Sequence, residues 1–136
     1  MYIYKRKVQY YETDKLGIVH HSNYLRYFEE ARLEYMISKN LPYTKMEDVG
    51  VMIPVTGATL KFKKPARFGD TIEVYSKTSV YNGVKLSVLY EIFREGDILV
   101  TGSTEHVFIN KEYKIARLYR EFPEFHEIFM TMLQGL

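Results

Sequence analysis

An aspartate, a glycine and two histidines fall within eight positions, at Asp14, Gly17, His20 and His21, inside the stretch YYETDKLGIVHHSNYLRYFEEARLEY that runs from Tyr10 to Tyr35. The second half of that stretch is the longest helical pattern in the chain. Tyr24, Tyr27, Phe28, Ala31 and Tyr35 recur at three- and four-residue spacing, while Arg26, Glu29, Glu30 and Glu34 fall largely on another side. Ser22 can cap its start, the hydroxyl accepting from a backbone N–H two or three residues on. Asn40 and Pro42 predict its end. A helix N-terminus carries unpaired N–H groups and partial positive charge, so it can hold an anion or a developing oxyanion. A carboxylate a few residues upstream then has something to cooperate with. That combination is the geometry of acyl transfer.

The elements around this stretch must position it. Tyr2 to Tyr10 alternate as a strand, with Tyr4, Val8 and Tyr10 on one face and Lys5 and Lys7 on the other. After the helix, Thr44 and Glu47 have capping-box spacing and Gly50 can end a short helical turn. From Val51 the pattern is β for about sixty residues, judged by its alternation. A strand is predicted from Met52 to Lys64, with Ala58, Leu60 and Phe62 on one face, and Pro65 to Asp70 form a turn. A second strand runs Thr71 to Tyr81. Asn82-Gly83 predicts a type I′ hairpin, because both residues tolerate positive φ. Further strands run Val84 to Arg94 and Ile98 to Ile109, joined through Glu95-Gly96-Asp97. A short C-terminal helix follows, with Pro123 in its first turn and Phe125, Ile128, Phe129 and Met132 as its stripe. One helix beside a long antiparallel meander predicts an α+β arrangement, the sheet wrapped around the helix.

The ordered run Thr13-Asp14, Gly17-Ile18-Val19 and His20-His21-Ser22-Asn23-Tyr24 resembles the opening motif of the 4-hydroxybenzoyl-CoA thioesterase family. Tyr27-Phe28-Glu29-Glu30-Ala31-Arg32 is most similar to the YbgC-type acyl-CoA thioesterases within it. Pro65, Ala66, Gly69 and Asp70 match a second landmark. Only Glu12 stands between Tyr10-Tyr11 and Thr13-Asp14, where the family often has one residue more. The resemblance covers the chain up to about Ile109. It implies a hotdog fold, an antiparallel five-stranded sheet around one long helix. Sheets in that fold pair edge to edge in a homodimer, often two per homotetramer, with sites at the dimer interface.

The resemblance also implies roles. Asp14 acts on a thioester carbonyl, as general base for water or as nucleophile through an acyl-enzyme anhydride. The sequence leaves both open. On bare sequence Asp14 would instead make a turn or cap bond. His21 occupies the family's histidine position and can orient water, Asp14 or the carbonyl. His20 stands where the family often has a tyrosine; it reads as pocket lining, and better still as a cap or interface histidine. Backbone N–H groups around His20 to Asn23 are the candidate oxyanion donors. Gly17, Ile18 and Val19 border the substrate, with Gly17 letting the chain turn. Tyr11 either reaches the site with its hydroxyl or packs its ring in the core. Glu29, Glu30 and Glu34 rival Asp14, although a salt bridge of Glu29 with Arg32 or Arg26 is the more economical reading. Lys63, Lys64 and Lys85 are the cations expected to meet coenzyme A phosphates; solvated charge is the bland alternative for the Lys61–Arg67 group.

The implied activity is acyl-CoA thioesterase: acyl-CoA and water give a carboxylic acid and free coenzyme A, with coenzyme A as part of the substrate and no other cofactor. Thioesters of acyl carrier protein are an alternative substrate, and non-catalytic acyl binding an alternative function. Composition narrows the rest. A chain of 136 residues predicts one domain over 1–136. The net charge of +2, spread along the chain, does not supply the basic face that nucleic-acid binding needs. Without cysteine there is no disulfide, thiol catalysis or cysteine metal site. His106 and His126 add no metal-ligand spacing to the motif histidines. No apolar run approaches the roughly 20 residues of a membrane span, and no signal core is present, so a cytoplasmic protein is expected.

Overall fold

The computed structural model describes residues 1–135. Five strands, β1 (Tyr2–Lys7), β2 (Val55–Phe62), β3 (Thr71–Tyr81), β4 (Lys85–Arg94) and β5 (Asp97–Val107), form one antiparallel sheet in the order β1-β3-β4-β5-β2. Helix α1 (Ser22–Ser38) packs against the sheet. Shorter helices are α2 (Tyr43–Asp48), α3 (Leu118–Glu121) and α4 (Pro123–Leu133). Period-two alternation sets the inner face: Ile72, Val74, Ser76 and Thr78 on β3, and Leu86, Val88, Tyr90 and Ile92 on β4, are buried. The helical stripe Tyr24, Tyr27, Phe28, Ala31 and Tyr35 is buried against it, as its spacing predicts. Phe28 stacks on Tyr90 at 4.2 Å, and Tyr2 on Tyr35 at 5.4 Å. Gly102 makes the first contact possible: a Cβ there would stand 2.6 Å from the Phe28 ring and 2.5 Å from the Thr59 carbonyl oxygen.

Several local expectations change on folding. Tyr10 leaves the strand for a one-turn 3₁₀ helix over Tyr10–Glu12 and is 75% exposed. Met52 lies outside β2, joined to Ile109 by an isolated bridge. Phe62 and Ala58 are exposed on β2, an edge strand of the sheet, although the Phe62 ring still meets Tyr24 of α1 at 5.6 Å. Asn82-Gly83 does make the hairpin, but only Gly83 has positive φ, so the turn is not type I′. The Asn82 side chain closes it by accepting from the N–H groups of Val84 and Lys85. Thr44 lies inside α2 and caps nothing, since that helix begins at Tyr43 after Pro42. Asn40, at φ 60°, ends α1 as predicted. α3 was not legible, being a single turn.

The strand order carries the main topological correction. β2 and β3 are consecutive in sequence yet not neighbours, so residues 63–70 cross the end of the sheet instead of turning a hairpin. This crossover lies on the motif loop: the Val19 N–H donates to the Ala66 carbonyl, and Ile18 bridges to Arg67. The Ala66 N–H donates to the Tyr24 hydroxyl at 3.2 Å. Asp70 holds the crossover closed, accepting from the Arg67 N–H and from the Arg94 guanidinium at 2.7 Å. At the opposite end α4 buries Phe125, Phe129 and Met132, with Phe129 against Tyr81 and Phe108.

Candidate active site

The loop between the 3₁₀ turn and α1 doubles back on itself. The Asp14 N–H donates to the Ile18 carbonyl, the Gly17 N–H to the Asp14 carbonyl, and Thr13 bridges Val19. Gly17 takes φ 79° to complete the turn, in open space on its Cβ side. The carboxylate of Asp14 accepts one bond from the Leu16 N–H at 2.8 Å, through Oδ1. The turn bond expected of Asp14 is thus made through one carboxylate oxygen, and the other, Oδ2, has no hydrogen bond among the described residues.

Beside this loop lies a cleft of about 390 Å³, walled by Asp14, Ile18 and His21 from the loop, Tyr24 from α1, and Phe62 and Lys63 from the end of β2. Val19 and Lys64 also border it. Tyr24, Phe62 and Leu16 line the cleft without any motif in the sequence marking them as site residues. Tyr24 begins the buried stripe and so reads as core; its place at the first turn is the signal that it can also face a cleft. Burial pushes its phenol pKa up, and the Asp14 charge acts in the same direction.

The helix start differs from the expectation. Ser22 makes no capping bond to a later N–H. His20 does the capping: its Nδ1 accepts from the Ser22 N–H at 3.2 Å and lies 2.8 Å from the Ser22 hydroxyl. An accepting Nδ1 requires the tautomer protonated on Nε2. The His20 ring stacks on His21 at 4.2 Å. The candidate oxyanion donors are thus reduced. The His20 N–H donates to the Glu12 carbonyl, and the Asn23 N–H to the His20 carbonyl. The His21 N–H has no hydrogen bond among the described residues. Asn23 is buried and uses its side chain structurally, donating to the Glu12 carbonyl oxygen at 2.9 Å.

The other predicted residues scatter. Tyr11 is 80% exposed and borders neither the cleft nor the core. Lys63 and Lys64 both donate their backbone N–H to the Leu99 carbonyl and both border the cleft; Lys64 also faces Asp97 at 3.7 Å. Lys85 pairs with Val107, eight residues further along β5 than Leu99 and so about 26 Å away within one chain. Glu29 is exposed and ion-pairs with neither Arg26 nor Arg32. The paired helix carboxylate is Glu30, bonded to Arg6 at 2.6 Å. Among the described residues, no three His, Asp or Glu side chains converge as a metal ligand set, and no helix is long and apolar enough to cross a membrane.

A family model described as the thioesterase-like superfamily matches residues 8–131. An Aquifex aeolicus protein, provisionally named an esterase, is 41% identical over 123 residues, covering 90% of this chain and 95% of its own. YneP of Bacillus subtilis, provisionally named an acyl-CoA thioesterase, is 32% identical over 133 residues, covering 95% and 96%. Among solved structures, DHNA-CoA thioesterase from Staphylococcus aureus superposes with a TM-score of 0.93 at 36% identity, over 99% of this chain and 91% of that one.

Proposed function

The chain belongs to the thioesterase-like superfamily and is a thioester hydrolase of the hotdog fold, and from that premise we propose that it cleaves acyl-CoA to a carboxylic acid and coenzyme A in the cleft beside Asp14. The observation that carries this reading is the convergence of Asp14, His21 and the start of α1 on one cleft. Asp14 Oδ2, the oxygen not bonded to the Leu16 N–H, either takes a proton from the water that attacks the carbonyl carbon or attacks that carbon itself to form an anhydride that water then opens. In both routes the C–S bond breaks and coenzyme A leaves as the thiolate, which is then protonated. The His21 N–H, at the positive end of the helix, donates to the carbonyl oxygen as negative charge grows on it. Lys63 and Lys64 meet the phosphates of coenzyme A. This scheme uses no cofactor beyond the substrate's own coenzyme A.

A second copy of the chain completes the site in this reading. The outer edge of β2 has no strand partner among the described residues. Large apolar side chains stand exposed on this part of the surface: Leu16 and Phe62, which line the cleft, are each more than half exposed, as are Tyr10 and Phe68, whose rings meet at 5.6 Å. Such a rim marks an interface, and an edge-to-edge homodimer, alone or doubled into a homotetramer, covers both features. It also offers Lys85 a place at the partner's site, which it cannot reach in its own chain.

The experiment is release of free thiol from short, long and aromatic acyl-CoAs, with an acyl-carrier-protein thioester as a further substrate. Turnover of a coenzyme A ester that outpaces the carrier-protein thioester supports the reading. Tight binding of an acyl-CoA without hydrolysis refutes it.

A further inference from the structure

We propose that Glu12 is a positioning residue for the thioester-cleaving site, tying the Asp14 loop to the start of α1 through both its carboxylate and its backbone carbonyl. This rests on the reading of Asp14 given above. Glu12 is only 3% exposed, two residues before Asp14. Its carboxylate accepts from the Gln9 N–H at 2.8 Å and from Arg6 Nη1 at 2.5 Å. Its carbonyl oxygen accepts from the His20 N–H at 2.8 Å and from the Asn23 side chain at 2.9 Å. One residue thereby holds the entry to the loop and, eight residues later, its exit.

Arg6 extends the tie. Its Nε reaches Glu30 on α1 at 2.6 Å, where the Tyr4 hydroxyl also donates, and its guanidinium lies 4.5 Å above the Tyr27 ring. The Tyr27 hydroxyl is buried and faces the Glu12 carboxylate without an aligned hydrogen bond. β1, the loop and α1 are thus joined by one chain of charge-assisted bonds. Burial opposes the Glu12 charge, but Arg6 and the Gln9 N–H outweigh it and hold the carboxyl below its ordinary range. A buried ion pair is a weak device for stability, since well-packed apolar residues do as well or better there. What this one provides is fixed geometry, two residues from the carboxylate that must be aimed.

The test is a double-mutant cycle in the full chain, with kcat and KM measured for the best acyl-CoA in wild type, Glu12→Gln, Asp14→Asn and the double variant. Glutamine keeps the acceptor for Gln9 and removes the charge that fixes Arg6. Glu12→Gln is expected to lose about 10- to 100-fold in kcat, the scale at which a misplaced reacting group is felt, with KM within about threefold. In the Asp14→Asn background the same change should alter the residual rate less than about twofold, because there is no longer a carboxylate to aim. A kcat for Glu12→Gln within twofold of wild type overturns the inference, and so does an equal loss in both backgrounds. Full activity in Asp14→Asn would instead refute the reading of Asp14, and this inference with it. Should Glu12→Gln fail to fold, Arg6→Lys serves: one ammonium cannot span Glu12 and Glu30 as the guanidinium fork does. Its kcat should fall at least threefold with KM held, and an unchanged kcat overturns the proposal.

Discussion

Two polar clusters flank α1, and they solve the problem of burial in opposite ways. At the motif loop, the Arg6 guanidinium bridges Glu12 and Glu30, with each carboxylate within hydrogen-bond reach of it. Deeper under the helix, Tyr90, Thr104 and His106 form a neutral chain, with Thr104 Oγ1 2.7 Å from the Tyr90 hydroxyl and 2.8 Å from His106 Nε2. His106 is 1% exposed, and its Nδ1 makes no aligned hydrogen bond among the described residues. Burial, helped by the nearby Arg32 cation, pushes its pKa down to about 4, so it is uncharged at neutral pH. The difference teaches where precision resides. The charged cluster fixes directions at the edge of an open cleft. The neutral cluster sits within apolar packing that supplies stability and aims nothing.

That contrast predicts a separation of effects. Phe28, stacked on Tyr90 within the neutral region, is the largest lever on stability: Phe28→Ala should cost about 3–5 kcal/mol in urea unfolding. Activity per folded molecule should change little. A matching loss of kcat in the folded fraction would break the division between the two regions.

Acid comes next, and separates the clusters by pH window. The folded pKa of His106 lies below its unfolded value of 6.5, so its contribution is complete above 6.5 and is lost as pH falls toward 4. The gap is worth about 3 kcal/mol. Glu12 also has a lowered pKa, from an ordinary 4.5, so its contribution is lost only below that value. His106→Gln should therefore flatten stability between pH 6.5 and 4.5 and leave the steeper acid loss in place. An unchanged slope in that interval would show that His106 is not the neutral group described here.

The smallest effect belongs to the cleft mouth. Lys63→Ala should raise KM for acyl-CoA about three- to tenfold, with kcat nearly constant and less sensitivity to salt. A fall in kcat at constant KM would place Lys63 nearer the reacting carbonyl than the mouth.

Period-based signals carried well from sequence to structure. The stripe of α1 and the span Thr71–Tyr81 appear as read, because local alternation decides which side of an element is buried. The fold follows from the motif as well as from the pattern, and the family model and structural neighbours support it. What local pattern cannot carry is pairing. The exchange that puts β2 at the far edge beside β5 depends on contacts dozens of residues apart. Cap chemistry failed for a related reason: Ser22 has the right type, but the His20 ring, folded back by the loop, takes the N–H first. Glu12 was legible only as a spacer in the motif, since its partners Arg6 and Asn23 meet it through a turn that sequence does not display.

The most direct test of the central claim is the single-turnover rate of thioester cleavage in Asp14→Asn against wild type, both shown to unfold at the same urea concentration. A rate about 10²–10⁴-fold lower at unchanged stability is the predicted result, matching the contribution of a positioned base. A variant that cleaves as fast as wild type would contradict the account and remove Asp14 from the chemistry of the cleft.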